Sequence, residues 1–338
     1  MQQKCHTQQR RCGIRGHLVF LLAKDIEKVK HNLQDKISVD YPDLQAALSK
    51  MASNGGKFLR PAFFLLFTKL TADSQNRVDD KKLIDIATSL EVLHMSTLIH
   101  DDIIDDSPKR RGEVSVQSQF GKDIAVYAGD YLFTVFFDLI TDNVLDTPFF
   151  KINSRTMKKI LLGELNQMKH RYNTQQTFLN YLRNVNGKTA YLFRLASAEG
   201  AYFGGASSQT VSLATRIGQN IGISFQILDD ILDYSDASRL NKPTLEDLAT
   251  GVYSLPLLLV LNEDSDELHT LLAKKQDLTL PEIQRIQALV VELGGVEKAK
   301  DLAAKFTNKA LIDIDKLPDS TAKKKLAKLT KVLLKRTN

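Results

Sequence analysis

Two aspartate clusters with the same spacing stand out in the sequence. The first, Asp101-Asp102-Ile103-Ile104-Asp105, is extended by Asp106 and closes an apolar helical pattern that begins at Leu93. Four carboxylates within six residues repel one another, and a like-charged pair four apart on a helix costs a few tenths of a kcal/mol. A lysine, a metal ion or water must therefore offset the charge. Residues 101 and 105 are one helical turn apart, about 6 Å along the axis, and point the same way. Two carboxylates so placed suit a hard divalent cation, and Mg²⁺ takes one or two carboxylates together with phosphate oxygens and water. Alone, the pattern fits a solvated acidic helix end equally well.

The second cluster, Asp229-Asp230-Ile231-Leu232-Asp233, repeats the spacing and again follows an apolar helix marked by Ile221, Phe225 and Leu228. A repeated box on a separate helix argues against two solvated faces. Facing each other across a helical bundle, the boxes would form a multi-metal clamp for a diphosphate. Basic residues bracket both. Lys57 and Arg60 lie three apart in Gly56-Lys57-Phe58-Leu59-Arg60-Pro61 at a helix start. Arg110 and Arg111 follow the first box, where guanidinium forks can grip phosphate in bidentate fashion. Lys188-Thr189 opens a helix whose N–H groups favour anions, and Asn241-Lys242-Pro243 follows the second box. Singly, each is an ordinary surface cation; the bracketing is what informs.

The chain that must position these groups has 338 residues, 43% of them hydrophobic and 25% charged, enough for a large core. No run is read as reaching the eighteen or more apolar residues of a membrane span, so a soluble protein is expected. Cys5 and Cys12 are the only cysteines, which excludes a disulfide framework in the body and favours a reducing cytosol. The net charge of +6 suits an anionic small substrate as well as nucleic acid. Residues 1–17 lack a signal-peptide core and are expected to be a disordered extension. Cys5, His6, Cys12 and His17 match no zinc spacing.

Strand signals are scarce, and apolar residues three and four apart predict helices throughout. One is expected over 20–36 with Leu22, Ile26, Val29 and Leu33 on a face. The next starts at Tyr41-Pro42-Asp43 and ends near Asn54-Gly55-Gly56, and a strongly apolar one covers 59–71. Asp79-Asp80-Lys81-Lys82 opens the helix carrying the first box, and Ser107–Gly112 is a loop. Further helices are expected at about 122–140, 153–170, 174–184, 188–202, 208–234, 246–262, 280–293, 297–315 and 320–336. With no repeat or linker, residues 18–338 are expected to form a single all-α domain.

With these motifs in view, the chain resembles the trans-isoprenyl (polyprenyl) diphosphate synthases from about residue 20 to the C-terminus. The resemblance rests on Gly56–Pro61, both aspartate boxes, Arg110-Arg111-Gly112, Lys188-Thr189 and Phe225-Gln226-Ile227-Leu228-Asp229-Asp230. It implies helices around a central cavity, a homodimer, and three Mg²⁺ per site, with Mn²⁺ able to substitute. Asp101, Asp105 and Asp229 would ligate metal, supported by Asp102 and Asp233 through water or hydrogen bonds. Arg110, Lys188, Gln226 and Lys242 would hold an allylic diphosphate, and Lys57, Arg60, His94 and Arg111 isopentenyl diphosphate, with Asp230 also among the substrate-binding residues. Thr189 and Gln226 would steady a carbocation by their dipoles. The implied reaction adds one C5 unit head to tail, with departing diphosphate as base. One departure is Gly251-Val252, where many members carry Gly-Lys, so a phosphate-side cation is missing.

The helix before the first box is also a ruler of about 5.4 Å per turn. Thr97, Leu93, Leu90 and Ile86 lie one to four turns before Asp101, and Ser96 lies five residues before it. Short-chain relatives usually place an aromatic residue here. Small Ser96 and Thr97 therefore predict a product beyond C15, C30–C40 with C20 as the alternative, limited by Leu93, Leu90 and Phe136 or Phe137. Three other functions fit less well. His100-Asp101 matches the pair of all-α HD phosphohydrolases, which leaves the second box unexplained. Cyclases normally replace the second box, and non-catalytic partner subunits usually lose acidic residues. A heteromeric partner for this chain stays open. The lysine-rich end, with Leu326, Leu329 and Leu333 on one side, allows peripheral contact with an anionic membrane; nucleic acid is not expected.

Overall fold

The apolar stripes fold as helices, and the computed structural model describes residues 22–54, 56–72, 78–110, 112–234 and 246–334. The fold is all-α, and the chain packs as two compact units. The first comprises Met1–Met157, Leu195–Thr215 and Leu317–Leu329, described from Leu22 onward. The second comprises Lys158–Arg194, Arg216–Lys316 and Thr330–Asn338, described to residue 334. The proposed extension 1–17 lies outside the described residues.

In the first unit, α1 (22–36) buries Leu22, Ile26, Val29 and Leu33 as its spacing predicts. Next come α2 (Pro42–Asn54) and α3 (Leu59–Thr71). Helix α3 is apolar nearly all round and buries Phe63, Phe64 and Phe67 completely, as expected of a helix with no solvent face. Helix α4 (Asp80–Ile104) starts where Asp79 accepts a bond from the Lys82 N–H, and it carries the first box at its C-terminal end. Helix α6 (Lys122–Val144) packs along α4, joined to it by an antiparallel β1–β2 hairpin (Lys109–Arg110, Glu113–Val114) and α5 (Val116–Phe120). The hairpin replaces part of the expected loop. From the C-terminal part of α9 (Tyr191–Phe203), Gly200 meets α3. A Cβ there would lie 2.3 Å from the Phe64 carbonyl oxygen, so only glycine permits the approach.

The second unit takes in the end of α7 (Pro148–Lys169), α8 (Phe178–Val185), a π-turn (Asn186–Ala190) and most of α10 (Ser208–Leu232). It continues with α11 (Glu246–Ala249), α12 (Leu255–Leu258), α13 (Asp266–Leu272), a 3₁₀ turn at Lys275–Asp277, α14 (Leu280–Glu292) and α15 (Gly295–Asp315). Its core joins Ile227, Ile231, Leu255, Leu257, Ile286 and Val290. The helix expected over 246–262 is instead two short turns. Gly251 breaks it at φ +80°, and the apolar run beyond is simply buried.

Two expectations about membranes change. Helix α6 is long and apolar enough to cross one, contrary to the expectation that no segment would be. It packs along α4 on one side, and its other side carries exposed Asp123 and Asp130. In the C-terminal helix α16 (Thr321–Leu334), Leu326, Leu329 and Leu333 are all buried. That stripe packs into protein, leaving lysines rather than an apolar face outside.

Candidate active site

Both aspartate boxes sit at helix C-terminal ends, where the helix dipole is already negative. In the first, Asp105 caps α4 and its N–H still bonds the Asp101 carbonyl at 2.9 Å, so the two remain one turn apart on one side. Asp101 is half-buried and Asp105 exposed. Asp102 turns inward, 3% exposed, and accepts from Arg110 Nε at 2.7 Å, with a second contact from the same guanidinium. Burial pushes the Asp102 carboxyl above its ordinary range while Arg110 pulls it back; burial likewise opposes the Arg110 charge, but the bond to Asp102 leaves it raised. Lys122 holds Asp106 at 2.9 Å. His100 pairs with Asp130 at 3.2 Å and stacks on Phe133, so it serves α6 rather than an HD-type metal pair.

The second box repeats the arrangement with different donors. Asp229 and Asp233 are half-buried, whereas Asp230 is 4% exposed. Its Oδ1 accepts from Gln226 at 2.9 Å, and its Oδ2 from the Tyr181 hydroxyl at 2.7 Å and the Leu255 N–H at 3.2 Å. Burial outweighs these bonds and raises its pKa to about 7, and the same burial holds the Tyr181 phenol well above its usual value. In each box, then, the second aspartate is buried on protein donors, and the first and last aspartates are less buried.

Lys188 and Thr189 do not open a helix as expected; they sit inside the π-turn between α8 and α9. The extra residue of such a turn rotates side chains off the helical register. It is tolerated because Gly187 faces Gly163, and a Cβ on Gly187 would meet the Gly163 Cα at 2.7 Å. There Thr189 Oγ1 donates to Gln226 Oε1 at 2.6 Å and Lys188 reaches Glu164 at 3.1 Å. A relay results: Thr189 to Gln226 to Asp230, closed by Tyr181. Lys188, Gln226 and Asp230 line a recess with His170, Gln167 and Val252, so the wall at 252 is apolar.

Lys57, Arg60 and His94 are half-buried in the first unit, and the His94 carbonyl accepts from Thr97 at 2.9 Å. Leu90 and Leu93 are fully buried, as is Phe136, whereas Phe137 is 39% exposed and turned outward. Ser96, fully buried, donates to the Gly129 carbonyl of α6. Arg111 and Lys242 lie outside the described residues. Sequence reasoning missed Tyr181, Glu164, Gln167 and His170. The last three recur every third residue over the last turns of α7 and the residue just past its end, a polar stripe visible in the sequence.

The donors fit a hard cation. Asp101 and Asp105 at the end of α4, and separately Asp229 near the end of α10, offer oxygen ligands at negative helix ends. Among the described residues no three histidine, cysteine or carboxylate groups form a ready-made cage.

The polyprenyl synthetase family model matches residues 41–290. Heptaprenyl diphosphate synthase component 2 of Bacillus subtilis (strain 168) is 31% identical over 316 residues, covering 93% of this chain and 89% of its own. The crystal structure of geranylgeranyl pyrophosphate synthase from Lactobacillus brevis ATCC 367 superposes with a TM-score of 0.87 at 41% identity, covering 93% and 96%. A polyprenyl synthase from Caulobacter crescentus CB15, complexed with calcium and isoprenyl diphosphate, gives 0.88 at 27% identity, covering 96% and 98%. The chain belongs to the polyprenyl synthetase family of prenyltransferases.

Proposed function

We propose that the protein condenses isopentenyl diphosphate head to tail with an allylic diphosphate, releasing diphosphate and giving a trans-polyprenyl diphosphate longer than C15. C30–C40 is favoured, with C20 as the alternative. The observation that carries this reading is the repeated box geometry, in which Asp102 and Asp230 are buried on protein donors while their neighbours stay at the surface. Bound to those neighbours, Mg²⁺, three per site, would neutralise the leaving diphosphate as a Lewis acid.

The chain's own groups do the rest. Lys188 offers a cation that can exchange Glu164 for a diphosphate oxygen. Both ends of the Gln226 amide are fixed, by Thr189 and by Asp230. The Thr189 hydroxyl hydrogen points at Gln226, so its oxygen lone pairs are left to face positive charge as it develops on the allylic carbon. Such preorganised dipoles need no rearrangement during reaction. The double bond of isopentenyl diphosphate attacks that carbon, and the departing diphosphate takes the final proton.

A cytosolic homodimer belongs to the same proposal. The name of the Bacillus relative, a component 2, supports a second reading in which this chain is the catalytic half of a heteromer. Incubating the pure protein with Mg²⁺, labelled isopentenyl diphosphate and C10, C15 or C20 primers tests both. Extractable polyprenyl product that disappears with chelator is expected. No product with any primer overturns the homomeric reading, and no product even after a lysate fraction is added overturns the heteromeric one.

A further inference from the structure

The recess beside Asp230 contains a second basic group that none of the motifs includes. Asp230 has both oxygens engaged by Gln226, Tyr181 and the Leu255 N–H. Besides the Asp247 carboxylate, the recess is lined by donors: Lys188, the amides of Gln167 and Gln176, and the imidazole of His170. Such a lining suits an oxyanion.

His170 is oriented by its own backbone. Its Nδ1 lies 2.7 Å from the Asn166 carbonyl, which can only accept, so Nδ1 carries the hydrogen and Nε2 is the atom left for a ligand. The segment after it is fastened across the recess. The Tyr172 N–H donates to the Gly251 carbonyl at 2.8 Å and its hydroxyl to Ala249 at 3.3 Å. Gly251, at φ +80°, lies under the Tyr172 ring, and a Cβ there would come within 2.6 Å of it. His170 and Val252, each beside a member of this clasp, line the same recess.

We propose that His170 is a substrate-positioning residue that donates from Nε2, as imidazolium, to a diphosphate oxygen held beside Lys188. Its Nδ1–H stays on Asn166, so one ring spans backbone and ligand. Lys188 of the π-turn, Asp230 of α10, Asp247 of α11, Tyr181 of α8 and Tyr253 face the same recess. The proposal rests on taking this recess as a diphosphate site.

The test is calorimetric titration of the full chain with inorganic diphosphate in Mg²⁺ at pH 6.5 and 8.5, alongside steady-state kinetics with an allylic primer. His170→Gln is expected to weaken diphosphate about tenfold at pH 6.5 and to raise the primer KM more than it lowers kcat. It should also flatten the wild-type loss of affinity between the two pH values. His170→Lys is expected to restore affinity, a rescue that a merely structural histidine would not show. Wild-type affinity in a folded His170→Gln protein, with Lys188→Ala weakened, overturns the proposal and leaves the site intact. If Lys188→Ala binds as wild type as well, the site itself is overturned.

Discussion

Ser96 Oγ donates to the Gly129 carbonyl at 2.7 Å, tying the last turns of α4 to the backbone of α6. Next to this bond, a Cβ on Gly129 would meet the His100 ring at 2.6 Å, so the two helices approach on small residues. The small size of Ser96, which leaves an open floor for a growing chain in the sequence reading, also lets α6 come close. Ser96→Phe is therefore expected to displace α6 and lower Tm by well over 5 °C, while Ser96→Ala loses about 1 kcal/mol with the hydrogen bond. Leu93→Ala is the cleaner probe of product length. It should cost about 2–5 kcal/mol as a buried cavity and shift the product to longer chains. Thermal melts and reversed-phase chain-length analysis check both outcomes, and an unchanged product in folded Leu93→Ala removes Leu93 from the ruler.

The Asp102–Arg110 pair predicts a strongly coupled double-mutant cycle. Arg110→Ala leaves a carboxylate of 4% side-chain exposure without its counter-charge, and breaking a buried pair from one side costs about 3–5 kcal/mol. Asp102→Asn on that background should recover much of the loss, because the remaining group is neutral. Denaturant unfolding of the two single variants and the double variant, without metal, measures the coupling. Additive losses would mean that the pair does not hold the hairpin to the box.

How far the sequence could be read follows from the range of each interaction. The α1 face, the apolar α3 and the placing of both boxes at helix ends were legible, because spacing along one element determines them. The Arg110 fork pairs with Asp102 across a turn, and Tyr181 reaches Asp230 from a different helix; no local pattern encodes either bond. The π-turn at Asn186–Ala190 adds one residue to an otherwise helical run and leaves the periodicity nearly unchanged. The run 255–261 reads as a continued helix because it is apolar, yet only Leu255–Leu258 is helical and the run is buried in the second unit's core, where no alternation is required of it. The two-residue strands of the hairpin are too short to show alternation at all.

Thr189→Val tests the relay at its first bond. The substitution keeps the shape and deletes the 2.6 Å donation to Gln226, so the amide is no longer fixed at its oxygen end. Stability is expected to fall by about 1 kcal/mol. Removing a preorganised dipole from a site of developing charge costs about tenfold or more in kcat, with the KM for isopentenyl diphosphate little altered. Equal kcat in the variant and the parent would show that the Thr189 oxygen does not face the reacting carbon.

Glu199 offers a prediction about pH that is independent of the active site. It is fully buried on α9, its Oε1 accepting from Asn153 Nδ2 at 2.8 Å. Glu199 Oε2, Asn153 Oδ1 and Ser197 Oγ have no hydrogen-bond partner among the described residues. Burial raises the carboxyl to about 8, only partly offset by the Asn153 bond. The folded protein therefore keeps this proton after the unfolded chain has released it. Stability drawn from the group is intact below about pH 4.5 and declines by about 1.4 kcal/mol per pH unit above that. The decline ends near pH 8, where the folded state ionises as well. Glu199→Gln retains an acceptor for Asn153 and has no proton to lose. Its Tm is expected to match wild type near pH 5, to exceed it increasingly up to pH 8, and to hold a constant lead above that. Melts of both proteins across pH 5 to 9 give the comparison, and a constant gap between them would show that Glu199 does not titrate in this window.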